Sequence, residues 1–166
     1  WIREALVDIF IMPPTVAVST IETVQAERRS EPPADDARPR TVPSATRQRS
    51  EWIAGDFANA AGRRAYKLYI PSRFDGESLP VLVMLHGCKQ SPDDFAAGTQ
   101  MNVRAEEHGC LVLYPAQSNS ANPSCCWNWF RREDQVRDAG EPALIADMTR
   151  DVVRRYGAER NKVFVA

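Results

Sequence analysis

VLVMLHGCKQSPDDF, residues 81–95, decides how this chain is read. Val81 to Leu85 is an unbroken apolar run, the pattern of a strand covered on both faces. It stops at His86-Gly87-Cys88, and a polar segment begins. Ser91 suits a helix N-cap, Pro92 the first helical position, and Asp93 and Asp94 the positive end of the helix dipole. The helix predicted from there, with a break near Gly98-Thr99, runs to His108 and stops at Gly109.

Working outward, Leu111 to Tyr114 reads as the next strand, closed by Pro115, and a long polar loop follows from Ala116 to about Gly140. Pro142 to Tyr156 is the clearest helix. Leu144, Ile145, Met148, Val152 and Tyr156 make its apolar face, while Asp147, Arg150, Asp151, Arg154 and Arg155 make the polar one. Gly157 ends it, and Lys162 to Val165 is the final strand. Upstream, Arg64 to Ile70 alternates apolar and polar residues before Pro71, a half-buried strand, and Asp75-Gly76 marks a turn. This succession predicts an α/β fold, a mostly parallel sheet with crossover helices. Ligands on such sheets bind at the carboxyl ends of the strands, which is where His86-Gly87-Cys88 and the loop after Pro115 lie.

The totals set limits. The chain has 166 residues, enough for one ordinary domain, and a formal net charge of −1. Such a balance gives no reason to expect nucleic acid or an anionic membrane as partner. No apolar run approaches the ~18 residues of a membrane span. Residues 1–26 read as a short amphipathic helix, stopped by Pro13-Pro14, and a tail. Glu4 and Asp8 interrupt the apolar core that a cleaved signal requires. Residues 27–51 (ERRSEPPADDARPRTVPSATRQRS and Glu51) form a Pro/Arg-rich linker with almost no large apolar residue. It cannot bury enough surface to offset its ordering entropy and is expected to be disordered. Order resumes near Trp52, and 52–166 is one domain. The start at Trp1 and the apolar end at Val163-Phe164-Val165-Ala166 read as the bounds of a piece of something longer.

Three readings of His86-Gly87-Cys88 compete. It is a plain turn, with Gly87 supplying a permissive backbone; or His86 and the cysteines hold a metal; or a backbone N–H there faces a developing negative charge. Metal binding is disfavoured by the absence of Cys-x-x-Cys or a second nearby His. The third reading has a specific chemistry, because ester cleavage puts a full charge on the former carbonyl oxygen and needs donors aimed at it.

Four segments, VLVMLHGCKQSPDDFAAGTQMNVRAEEHGCLVLYPAQ, SCCWNWF, DAGEPALIADMTRDVVRRYG and NKVFVA, occur in this order. Together they resemble the poly(3-hydroxybutyrate) depolymerase-type esterases, α/β-hydrolase serine esterases related to feruloyl and acetylxylan esterases. The likeness covers roughly Tyr66 to Ala166. It implies an incomplete α/β-hydrolase fold and a carboxylic ester hydrolase acting on an ester or polyester, with no metal or cofactor. It further implies that the Cys88 N–H is one oxyanion-hole donor, with His86 and Gly87 shaping its loop. A Gly-x-Ser-x-Gly elbow should follow a strand like Lys162 to Ala166. No such motif occurs in these residues. The nucleophile, its acid and its base would then belong to a missing C-terminal part of the same domain, and the chain alone should be inactive. The alternative is a non-catalytic remnant or binding piece of a truncated or split gene. Asp147 and Asp151, on a polar helix face, read as solvated rather than as the triad acid, and His108 as a helix C-terminal cation.

Cys110 opens a strand and reads as a core residue. The resemblance favours a disulfide between Cys88 and Cys126, which would pin the long loop over the oxyanion site. An intracellular protein would keep these thiols reduced, so the family and this pairing lean toward an extracellular location without deciding it. Trp127 and Trp129 stand two apart in Trp127-Asn128-Trp129-Phe130, which reads either as loop packing or as a substrate-facing aromatic rim. One is expected to pack and the other to line an acyl pocket, without assignment of which.

Overall fold

A computed structural model describes residues 49–166. The expected N-terminal helix and nearly all of the expected linker lie outside the described residues. Five strands form one sheet: β1 Glu51–Asn59, β2 Gly62–Ile70, β3 Val81–Val83, β4 Leu111–Pro115 and β5 Val163–Val165, in the order β1-β2-β4-β3-β5. Among the described residues three α-helices accompany them: α1 Pro92–Thr99, α2 Met101–His108 and α3 Gly140–Tyr156, with a 3-10 turn at Arg132–Gln135.

The sheet is mixed. β4, β3 and β5 pair in parallel, as the strand–helix–strand pattern requires, but β2 joins β4 antiparallel and β1 joins β2 antiparallel. β1 is not expected from the sequence, in which Glu51 falls in the linker and residues 52–59 carry no clear element signal. Its signal is weak because Gly55 and two alanines interrupt the alternation. Gly55 has a reason to be there. It lies opposite Tyr66, and a Cβ on it would stand 2.4 Å from the Tyr66 ring.

Period-2 alternation sends the strands' side chains to two faces. Leu68, Ile70, Val81, Val83, Leu111 and Leu113 pack with Ile145, Met148 and Val152 of α3. On the other face, Tyr69, Val112 and Tyr114 pack with Ala96 of α1 and Ala105 of α2. The helix stop signals act where expected. Ser91 and Asp94 form a reciprocal capping box with Pro92 at the first position, Gln100 in the left-handed region separates α1 from α2, and Gly109 and Gly157 cap α2 and α3.

This topology places a crevice. The chain leaves β3 for β4 through α1 and α2 on one face, then leaves β4 for β5 through α3 on the other, passing β3 on the way. Adjacent strands β3 and β4 therefore send their carboxyl-end loops to opposite faces, which opens the sheet at that edge.

Candidate functional site

The loop after β3 begins while the backbone is still laddered: Met84 N–H donates to Leu113 O and Leu85 N–H to Ala166 O, each at 2.8 Å. His86 follows, 1% exposed. Its imidazole uses both nitrogens. Nε2 accepts from the Gln117 backbone N–H at 3.1 Å, so the ring proton lies on Nδ1, which donates to Gly87 O at 2.8 Å. Trp127 packs its ring 5.3 Å from the imidazole, centroid to centroid, and its Nε1–H donates to His86 O at 2.9 Å. With both nitrogens engaged, the imidazole bridges the Gly87 turn and the start of the loop after β4.

Gly87 to Gln90 is a tight turn. Gln90 N–H donates to Gly87 O at 3.2 Å, the Gln90 side-chain oxygen accepts from Gly87 N–H at 2.8 Å, and Lys89 takes a left-handed φ of 62°. A Cβ on Gly87 would lie 2.9 Å from that Gln90 oxygen, so glycine suits the return of the side chain. Lys89 N–H donates to Ser124 O at 2.7 Å, and a disulfide joins Cys88 to Cys126 with Cα atoms 4.2 Å apart. The Cys88 N–H, between these anchored neighbours on the exposed turn, makes no hydrogen bond among the described residues.

The facing loop, residues 116–139, is held mainly by amides. Gln117 donates from Nε2 to Cys126 O at 3.0 Å and to Glu141 Oε1, and its oxygen accepts from Arg64 Nε at 2.9 Å and Ser118 N–H at 3.0 Å. Glu141, on the first turn of α3, is 4% exposed. Besides Gln117, its Oε1 accepts from Asn128 Nδ2 at 2.8 Å and Arg64 Nη2 at 3.2 Å; its Oε2 accepts from Asn128 N–H at 2.7 Å. Asp134 Oδ1 accepts the Glu141 N–H at 2.7 Å, and burial in the first place holds the Asp134 carboxyl above its usual range. Neither Glu141 nor Gln117 stands out in the sequence. An acid in a first helical turn reads as an ordinary dipole partner, and a glutamine after Tyr114-Pro115-Ala116 carries no motif.

The remaining sequence candidates separate. Trp127 is buried at 8% exposure, whereas Trp129 is 60% exposed and stacks edge-on with exposed Phe130. Cys125 and Cys110 are free thiols, each half-buried, and burial pushes the Cys110 thiol up. Asp147 pairs with Arg150 and accepts from Asn59 Nδ2 at the hairpin end, and Asp151 pairs with Arg154 and Arg155. His108 lies exposed in the last turn of α2. Among the described residues, no three His, Cys, Asp or Glu side chains cluster as metal ligands, and no helix is long and apolar enough to cross a membrane.

The mixed sheet with helices on both faces is an α/β-hydrolase-like fold, shared with solved esterases. An acetyl xylan esterase from Aspergillus awamori superposes with a TM-score of 0.59 at 22% identity, over 70% of this chain and 41% of that one. A ferulic acid esterase superposes with a TM-score of 0.54 at 17% identity, over 71% and 50%. The Esterase PHB depolymerase family model matches residues 64–166, and the chain belongs to that family. Poly(3-hydroxyalkanoate) depolymerase C of Paucimonas lemoignei is 27% identical over 110 residues, and feruloyl esterase B of Neurospora crassa is 27% identical over 109. Those matches take in 66% and 65% of this chain but only 26% and 36% of the relatives, so the chain spans about a quarter to a third of their length.

Proposed function

We propose that residues 64–166 are the N-terminal part of a serine carboxylic-ester hydrolase acting on a polyhydroxyalkanoate or similar ester, and that the Cys88 N–H is one of its two oxyanion donors. The observation that carries this reading is the state of that amide. It has no acceptor among the described residues, while His86, Gly87, Lys89 and the disulfide fix the backbone on either side of it. A donor held still before charge develops lowers a barrier by about 3 kcal/mol, because nothing has to reorganise during the reaction. In the family's fold, a second donor would follow the serine, and serine, histidine and aspartate would act in their usual relay.

In this reading the nucleophile and its partners come from sequence corresponding to the part of the relatives that these 166 residues do not span. Trp129, exposed beside Phe130, supports an aromatic rim for a hydrophobic acyl chain, and Trp127 serves as packing for His86. The Cys88–Cys126 bond favours an oxidising, extracellular setting.

The test has two arms. The 166-residue chain is assayed on p-nitrophenyl butyrate and on dispersed polyhydroxybutyrate, where no turnover above buffer is expected. The gene is read past Ala166, and the continued chain, carrying an in-frame Gly-x-Ser-x-Gly, is assayed alike. Turnover by the short chain would refute the placement of the nucleophile. A stop codon, or a continued chain inert on every acyl ester tried, would leave the non-catalytic binding piece instead.

A further inference from the structure

We propose that Glu141 is a positioning residue for the Cys88 amide, acting through Gln117 and His86; the inference rests on the esterase reading above. Three links connect them. The Glu141 carboxylate accepts from the Gln117 side chain, the Gln117 backbone N–H donates to His86 Nε2, and His86 Nδ1–H donates to Gly87 O, the peptide carbonyl bonded to the Cys88 nitrogen. Gln117 also reaches the other end of the disulfide through Cys126 O. Both cysteines that frame the exposed amide are thus referred to one buried carboxylate.

The chemistry of the cluster requires a carboxylate. Four N–H donors converge on its two oxygens, from Arg64, Gln117 and twice from Asn128. Only an acceptor-only group satisfies all four. The Gln117 amide is locked in turn. Turned over, it would set its oxygen against the Glu141 carboxylate and its NH2 against Arg64 Nε and Ser118 N–H. The ordinary task of an acid in a first helical turn, receiving the exposed N–H groups, is taken at the Glu141 N–H by Asp134. This leaves the Glu141 carboxylate turned to the loop. Glu141→Gln puts an NH2 among donors: whichever way it faces, at least one of the Asn128, Gln117 or Arg64 bonds is lost.

The experiment reads His86 directly in the 166-residue chain labelled with 15N, which holds two histidines, His86 and exposed His108. Wild type should show one slowly exchanging Nδ1–H signal for His86 and a single sharp Cys88 amide. Folded E141Q, studied well below its melting temperature, should lose the slow Nδ1–H signal and show a shifted or broadened Cys88 amide. Glu106→Gln, in a distant cluster, controls for general destabilisation and should leave both signals in place. If E141Q does not fold, Gln117→Met tests the same relay with Glu141 still paired to Arg64 and Asn128, and the same loss is expected. Unchanged His86 and Cys88 signals in a folded variant overturn the positioning role, and the esterase reading then stands on its own assay. Changed signals, combined with a continued chain that cleaves no ester, remove the catalytic meaning of the relay along with the esterase reading.

Discussion

His86 and Gln117 follow adjacent parallel strands whose loops depart to opposite faces of the sheet, and the bond from the Gln117 N–H to His86 Nε2, 3.1 Å long, ties those two loops together across the opening. Replacing His86 by Ala strands this buried N–H without an acceptor and removes the ring on which Trp127 packs. An unsatisfied buried donor costs about 1–3 kcal/mol, and the lost packing adds to it. A drop of roughly 3 kcal/mol is expected, read from the urea midpoint at constant slope. His86→Gln, whose oxygen can reach toward the Nε2 position, should recover part of the loss. Equal losses in both variants would mean that the hydrogen bond contributes little.

The disulfide closes a loop with a sequence separation of 38. In the chain-entropy picture a loop of that size is worth about 4 kcal/mol. Cys126→Ser should therefore lower stability by up to that amount, and dithiothreitol should bring wild type toward the variant while leaving the variant unmoved. Alkylation under denaturing, non-reducing conditions should label only Cys110 and Cys125. In the native chain Cys110 should react slowly, since its thiol is half-buried and held up by that burial. Labelling of all four cysteines without reductant would rule the pairing out.

Much of this fold can be read from the residues, and the parts that cannot have physical reasons. The parallel strands announce themselves because burial on both faces demands continuous apolar runs, as at Val81 to Leu85 and Leu111 to Tyr114. Ser91-Pro92-Asp93-Asp94 and the two capping glycines mark helix ends by local chemistry alone. β1 escapes because its fit depends on Tyr66 lying over Gly55, a contact between strands that only pairing creates. Glu141 escapes for the same kind of reason. Its donors come from residues 64, 117 and 128, far apart in the chain, and no spacing rule connects them. His86-Gly87-Cys88 could be picked out as a place, but which nitrogen of His86 bonds to what is settled by Gln117, which the sequence leaves unremarked.

Gly55→Ala tests the β1 contact. The added methyl would meet the Tyr66 ring, which is 5% exposed and belongs to the main core. Relief requires the ring to turn or the hairpin to part, and overpacking of this kind costs about 1–3 kcal/mol. Thermal unfolding should begin at a lower temperature. The double variant with Tyr66→Leu, which removes the ring carbons and the hydroxyl that the new methyl would meet, should be less than additive. Full additivity would place the strain elsewhere.

Glu106 supplies a pH dependence with a definite sign. Its carboxylate accepts from the Ser72 hydroxyl, from Tyr69 OH at 2.7 Å and from the Ser72 N–H at 3.0 Å. These bonds, the Ser72 side chain first, hold its carboxyl below the ordinary value of 4.5. A carboxyl depressed in the folded state contributes stability that is present above its unfolded value and fades as pH falls through the folded one. Glu106→Gln should therefore cost on the order of 1 kcal/mol at pH 7, an amount reduced by the partial exposure of the cluster. The gap between variant and wild type should narrow steadily below about pH 4.5 and nearly close once the wild-type carboxyl is protonated. Urea midpoints measured from pH 7 down to pH 3 give the comparison, and a gap that widened on acidification would contradict the hydrogen-bond assignment at Ser72 and Tyr69.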